Sequence, residues 1–270
     1  MRNVVISAGV LVGLTMAGGA LAQEAEGQAN VGMSLPGAQP AAAVAGASDH
    51  DQVVGRLAVG YFGFSDVGAG AGGGLGPNDS PYSLGGDAPV VGVRYWIDQM
   101  IGLDVGVGLT VIGGSLEAEQ APAPAVDVDR NSFTAFAFHA GVPLALASSG
   151  HFSFQIVPEA NVAIASGSED PNGDDVAGDI SHSGFHFDVG ARAGAEIHFG
   201  FIDIPQLSLQ ASVGLRFDID RGSSEDSTPQ ADMPPAENIE TSSSRNEFHT
   251  TVQDNPWGIF TNSVYALYYF

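Results

Sequence analysis

From residue 55 onward the chain alternates, position by position, between a large apolar side chain and a small, polar or charged one. Across 101–111 every odd position is Ile, Leu or Val, and the even positions are Gly102, Asp104, Gly106, Gly108 and Thr110. Phe185, Phe187, Val189, Ala191, Ala193, Ala195, Ile197 and Phe199 share one face against His186, Asp188, Arg192, Glu196 and His198. Leu207, Leu209, Ala211, Val213, Leu215, Phe217 and Ile219 stand in the same way opposite Ser208, Gln210, Ser212, Arg216 and Asp218. A period of two is the signal of strands with two different faces. A slip of one residue would turn every side chain to the wrong face, so the pattern constrains register as well as element type.

Marking all such segments predicts eight strands, near 55–64, 88–97, 101–112, 133–146, 152–165, 183–199, 206–220 and 257–270. Three connections are short turns, at 98–100, 147–151 and 200–205. The other four, around 65–87, 113–132, 166–182 and 221–256, are long and rich in Gly, Pro, Asp, Glu and Ser. An unbroken apolar face with a charged or glycine-rich reverse is what a closed barrel in lipid requires, oily outside and polar inside. A soluble up-and-down barrel of the lipocalin type has the opposite sidedness. The expected fold is therefore all-β: an eight-stranded antiparallel up-and-down transmembrane barrel with short periplasmic turns and long extracellular loops. Aromatics at strand ends fit two interfacial girdles, with Tyr95, Phe152, Phe199 and Phe270 on the periplasmic side and Tyr61, Phe136, Phe185, Phe217 and Phe260 on the outer side.

Both ends of the chain agree with export. A short basic start, an apolar stretch from Val4 to about Ala17 and the small-residue site Ala20-Leu21-Ala22 read as a signal peptide over 1–22. Residues 23–52, rich in Ala, Gly, Pro and Gln, read as a disordered periplasmic lead-in. The closing run Val264-Tyr265-Ala266-Leu267-Tyr268-Tyr269-Phe270 ends on an aromatic with apolar residues at every second position. It resembles the C-terminal signature of Gram-negative outer-membrane barrels, and the resemblance to small eight-stranded members, such as the transmembrane domain of outer-membrane protein A, covers about 53–270. That resemblance implies an outer-membrane location with both termini periplasmic, and a C-terminal strand handed through Tyr268 and Phe270 to the barrel-assembly machinery. Outer-membrane lipid and lipopolysaccharide are the implied partners, and no cofactor is implied.

The 44% apolar content coexists with a net charge of -23, so the charges must be segregated from the apolar face. Every basic residue is Arg. Such an acidic balance argues against nucleic acid, which requires a Lys/Arg footprint. Cysteine is absent, which excludes disulfides and a lipidated cysteine. The acidic tract Glu169 to Asp175 with Asp179 lacks the spacing of a calcium loop, and the Gly68 to Gly76 run lacks the Lys and the strand-to-helix context of a phosphate loop. Both read as solvated surface loops, with no metal site assigned.

The candidate functional residues lie on the inward face. Eight strands enclose space for side chains or one small ligand, not a broad channel, and an unpaired buried charge costs several kcal/mol. Turn geometry predicts partners. Pairing Ile97 with Ile101 sets Arg94 against Asp104; pairing Leu146 with Phe152 sets His139 against Glu159; and a third register sets Asp188 against Arg216 and His186 against Asp218. Arg56, Arg192 and Glu196 share the inward parity. These residues read as a polar plug with a structural or surface-interaction role in the envelope. The same pairs could gate a narrow pore for ions or small solutes. A weaker alternative is an outer-rim hydrolase, since His182, His186, Asp218 and Asp220 resemble the Asp and His pairs of outer-membrane proteases; no catalytic residue is assigned.

Overall fold

The computed structural model describes residues 47–72, 82–118, 126–170, 180–227, 239–251 and 264–270. The predicted signal peptide, most of the lead-in, Phe260 and most of the acidic tract after Asp170 lie outside the described residues. Among the described residues twelve strands form: β1 (Leu57–Ala69), β2 (Leu84–Trp96), β3 (Gly102–Ile112), β4 (Ser115–Ala118), β5 (Val126–Asp129), β6 (Ser132–Gly141), β7 (Leu144–Ser149), β8 (Phe152–Glu169), β9 (Ile180–Phe199), β10 (Ile204–Asp226), β11 (Ile239–Thr250) and β12 (Val264–Tyr269). Antiparallel pairing runs β1-β2-β3-β6-β8-β9-β10-β12 and returns to β1, which closes an eight-stave barrel. Valines, leucines and phenylalanines of the apolar face lie exposed on its outer wall, among them Val91, Leu109, Phe136, Val189 and Leu215. Arg94, Asp104, Glu196 and Gln210 are buried within.

Several boundaries depart from the sequence expectation. The stave expected at 133–146 is two strands, because Pro143 has no N–H to donate to the ladder, and β7 resumes pairing with β8 beyond it. The expected loop 221–256 contains β11, which forms a hairpin with the extended β10 from Leu215↔Thr250 to Asp226↔Ile239. β11 carries almost no apolar alternation because it lies largely beyond the aromatic ring of the wall, with Phe248 its exposed aromatic. The loop at 113–132 likewise holds the small hairpin β4–β5. Of the final stave expected at 257–270, the described part is β12.

At the long-loop end β1 does not continue along the wall. It pairs with β12 from Ala58 to Tyr61, then a bulge at Phe62-Gly63 shifts its register against β2. Gly63 has φ +85°, a conformation that glycine adopts without strain. Beyond the bulge Val67 and Ala69 turn inward and pack with Ala88, Phe133, Ala135, Ala137, Ala163 and Ala165 as an apolar layer. The backbone of Gly68 and Gly70 crosses to the facing strands and lies against Gly184 and Gly222, where a Cβ would overlap their carbonyl oxygens. Gly70 N–H donates to Ser183 O (3.0 Å) and Ala71 N–H to Ser224 Oγ (2.9 Å), which fastens this bridge across the mouth.

The short-turn end is closed by a segment assigned above to the disordered lead-in. Residues Asp49–Val53 form a helix, α1, started by a capping box in which Ser48 and Asp51 bond reciprocally. It touches all three short turns. His50 Nε2 donates to Gln99 O (3.0 Å), Asp49 N–H donates to Gly150 O (2.8 Å), and the Asp49 carboxylate accepts from His151 Nδ1 (2.7 Å) and Gly200 N–H (3.1 Å). His50 also stands edge-on to Trp96 at 4.4 Å between ring centroids. Arg56, expected inside, is exposed in the turn that links α1 to β1, one residue before the strand begins.

Burial holds the His50 imidazole below its ordinary value of 6.5, against a smaller upward pull from the Gln99 carbonyl. Its Nδ1 is buried without a partner, so a second proton there would have no acceptor. A released His50 binds a proton more readily than a docked one, so docking of α1 is strongest above about pH 6.5 and weakens as pH falls below it. Acrylamide quenching of Trp96, measured in a Trp257→Phe background, is expected to rise as pH falls from 7.5 to 5, and a His50→Leu substitution should flatten that rise.

Candidate functional site in the barrel interior

The interior is a continuous column of polar side chains built on the inward face of the staves, even-numbered on β2, β3, β9 and β10 and odd-numbered on β6, β8 and β12. Its lowest layer centres on Arg94, which is fully buried. The guanidinium makes a two-pronged contact with Asp104, 2.7 Å from Nε and 2.7 Å from Nη2, and reaches across the lumen to Glu196 (3.0 Å) and Gln210 (2.9 Å). Glu196 in turn accepts from Ser208, Gln155 and the Tyr269 hydroxyl, and Tyr269 accepts from Trp96 Nε1 at 3.1 Å. Forked Arg–carboxylate contacts of this kind are the strong, geometrically specific ones. The Arg94↔Asp104 opposition follows from the three-residue turn, where Asp98 Oδ1 accepts from Met100 and Ile101 N–H, both at 2.7 Å.

In the middle layer Glu159 is gripped by Arg192 Nε (2.6 Å) and Arg216 Nη2 (2.8 Å). Arg192 also stacks over Tyr265, 4.0 Å from the ring centroid. The expected His139–Glu159 pair does not form. His139 stands opposite Asn161, with Nδ1 2.6 Å from its amide oxygen, and Gly141 stands opposite Glu159. The cause lies in the turn: Ser149 pairs with Phe152 across only Gly150-His151, with Gly150 at φ +55°, and a bulge sits at Leu146. Tightening the turn by three residues and bulging by one moves the whole register by two.

The third hairpin is also shifted. Asp188 faces Asp218, not Arg216, and His186 faces Asp220, not Asp218. A 3-10 turn over Gly200–Ile202, Asp203 at φ 64° and an irregularity between Ile204 and Ser208 absorb the difference. What the shift gains is room. Arg216 now faces Gly190 and Arg192 faces Gly214, so each long side chain lies over a position with no Cβ and is free to extend to Glu159. A Cβ at Gly214 would come within 2.9 Å of Arg192 Cβ. Cross-strand pairing arithmetic overlooks such contacts, because it pairs residues directly opposite while Arg192 reaches diagonally to Glu159 on the adjacent strand and Arg216 reaches past β9 to the same carboxylate.

The upper layer holds His186, whose Nδ1 lies 2.7 Å from Asp220 and Nε2 3.0 Å from Asp188. Asp188 also accepts from Asn161 Nδ2 at 2.7 Å. Tyr82 OH lies 3.0 Å from Asp220, and His249, on the strand that sequence reading assigned to a loop, lies 2.6 Å from Asp218. His182, grouped with these residues from sequence, bonds Ser224 (2.9 Å) at the next level outward. At the C-terminus Tyr268 and Phe270 point outward, their rings 5.2 Å apart.

A closed eight-stave barrel with an apolar exterior and a charged, hydrogen-bonded interior is the architecture of an outer-membrane β-barrel. No protein-family profile matches the chain, and no curated protein does. Among solved structures it is similar to Ail, the attachment invasion locus protein of Yersinia pestis, at 13% identity over 80% of this chain and 97% of that one, with a TM-score of 0.33.

Removing Arg94 leaves Asp104 and Glu196 buried without their cation. Breaking a buried pair on one side typically costs about 3–5 kcal/mol. Arg94→Met is expected to lower the urea midpoint of the folded barrel accordingly, and adding Asp104→Asn should recover part of the loss.

Proposed function

We propose that the protein is a non-catalytic, sealed outer-membrane barrel that contributes to envelope integrity and presents its long loops to the exterior. In this reading the short-turn end and both termini are periplasmic. The observation that carries it is the filled interior: hydrogen-bonded and ion-paired side chains run from Trp96 to Asp220, with α1 below and the β1–β2 tip above. An eight-strand interior has room for such a filling and little else. The function then rests on the outer surface.

That surface offers a specific place for contact. Above the exposed Phe185, Phe217 and Phe248, the outward residues Ser183, Arg221, Ser223, Ser244 and Asn246 line a cavity of about 550 Å³. One guanidinium among hydroxyls and an amide, just beyond an aromatic girdle, suits the anionic and sugar groups of lipopolysaccharide. Tyr268 and Phe270, exposed on the last stave, serve in this reading as the signal recognised by the barrel-assembly machinery.

Planar-bilayer recording on the refolded chain tests the sealed barrel against the narrow pore. Folded protein is expected to give no discrete conductance steps. Steps that change size when Arg94 or Asp104 is neutralised would establish a pore through the ion-paired column.

A further inference from the structure

The charges of the column are not evenly compensated along its length. In the lower and middle layers Arg94, Arg192 and Arg216 meet Asp104, Glu196 and Glu159, three cations for three carboxylates. The upper layer holds three further carboxylates, Asp188, Asp218 and Asp220, faced by His186 and His249. Arg216 approaches Asp188 only through Nε at 3.7 Å, while its Nη2 is committed to Glu159. Asp188 and Asp218 stand directly opposite one another on neighbouring strands, an arrangement that repels unless a cation sits between.

We propose that His186, Asp188 and Asp218, with His249 paired to Asp218 behind them, form a binding site for a divalent transition-metal cation of the zinc class at the long-loop end of the barrel interior. One donor atom from each of His186, Asp188 and Asp218 lies within 4.8 Å of the other two. Asp218 Oδ1 is buried and accepts no hydrogen bond among the described residues, so its lone pairs are free to ligate a metal. Tetrahedral zinc places its ligand atoms roughly 3.4 Å apart, given metal bonds of about 2.1 Å. A small rotation of the Asp218 carboxylate, whose Oδ2 is paired with His249 Nε2 at 2.6 Å, turns its free Oδ1 toward the other two donors and completes the set of three.

The surrounding groups are arranged as a metal site requires. Asp220 accepts from His186 Nδ1, which leaves Nε2 as the ligand nitrogen facing Asp188. A carboxylate behind a ligating histidine fixes ring orientation and raises its basicity. Asn161 donates to Asp188 Oδ1 and itself engages His139, which holds the second ligand in place. Imidazole with carboxylate favours zinc over calcium, which takes six or more oxygens. Metal entry displaces the proton between His186 Nε2 and Asp188, so binding releases a proton. The site is independent of whether the barrel conducts.

The test is calorimetric titration of ZnCl₂ into chelator-stripped, detergent-folded protein, run in two buffers of different ionisation enthalpy, with folding verified by the gel shift between unheated and boiled samples. We expect one zinc per chain with a Kd in the micromolar range or below, proton release, and CaCl₂ binding at least ~100-fold weaker. Asp218→Asn keeps the side chain's shape and an oxygen that can face His249, so it should fold and bind zinc at least ~10-fold more weakly; Asp220→Asn should weaken binding by roughly 10–100-fold. His151→Gln, at the opposite end, should leave the affinity unchanged. Absence of saturable zinc binding to folded wild type, or an isotherm that Asp218→Asn leaves unchanged, would overturn the assignment.

Discussion

A guanidinium with no contact with water anchors the lowest layer of this barrel's interior, and its neutralisation by Asp104 and Glu196 is the constraint on which the interior depends. A lone buried ion of that size is prohibitive; a pair with every hydrogen bond made is tolerated. Arg94 therefore dictates its surroundings. Gln155, Gln210, Ser208 and Tyr269 are present as the donors and acceptors that its carboxylates and its remaining N–H groups require. The same logic repeats one level up, where a single carboxylate, Glu159, holds two arginines together from different strands. The contacts of Arg94 with Glu196, Arg192 with Asp104 and Arg216 with Glu159 join strands that are not neighbours, so the column ties the staves together from inside while lipid presses on an apolar wall that needs no further bonds.

Both ends complete the closure by different means. At the short-turn end α1 satisfies the backbone of three separate turns with one five-residue helix, and His50 joins it to the aromatic floor of Trp96 and Tyr269. At the other end closure depends on the absence of side chains. Gly68, Gly70, Gly184 and Gly222 allow one wall to lie directly against the opposite one, backbone to backbone. The glycine-rich reverse face of the strands is thus a packing surface, in addition to being the polar counterpart of the oily face.

The staves were legible because lipid imposes one rule on every exposed position, and that rule has a period of two. Arg94 and Asp104 were legible for a further reason: a three-residue turn with an aspartate cap leaves a single register. Where turns carried irregularities the arithmetic failed. A two-residue turn with a bulge gave His139 to Asn161, and the displaced β9–β10 register put Asp188 against Asp218. β11 was invisible because a strand beyond the lipid carries no apolar face, so its Ser and Thr read as loop. α1 was hidden within a polar, alanine-rich lead-in, although Ser48 with Asp51 is a capping signal in plain sequence. The arginines over Gly190 and Gly214 show why interior contacts resist prediction: their partners are set by three-dimensional reach, which a pairwise strand register does not contain.

The central claim is that Arg94 is locked in a water-free, fully bonded site. Solution NMR of the barrel in detergent micelles reads this directly through hydrogen exchange of the Arg94 Nε–H. The account predicts a resolved signal that persists for hours in deuterated solvent and a measurable coupling to the Asp104 carboxylate carbon. Exchange as fast as that of a solvent-exposed arginine such as Arg56 would contradict it, because it would mean that water reaches the heart of the column.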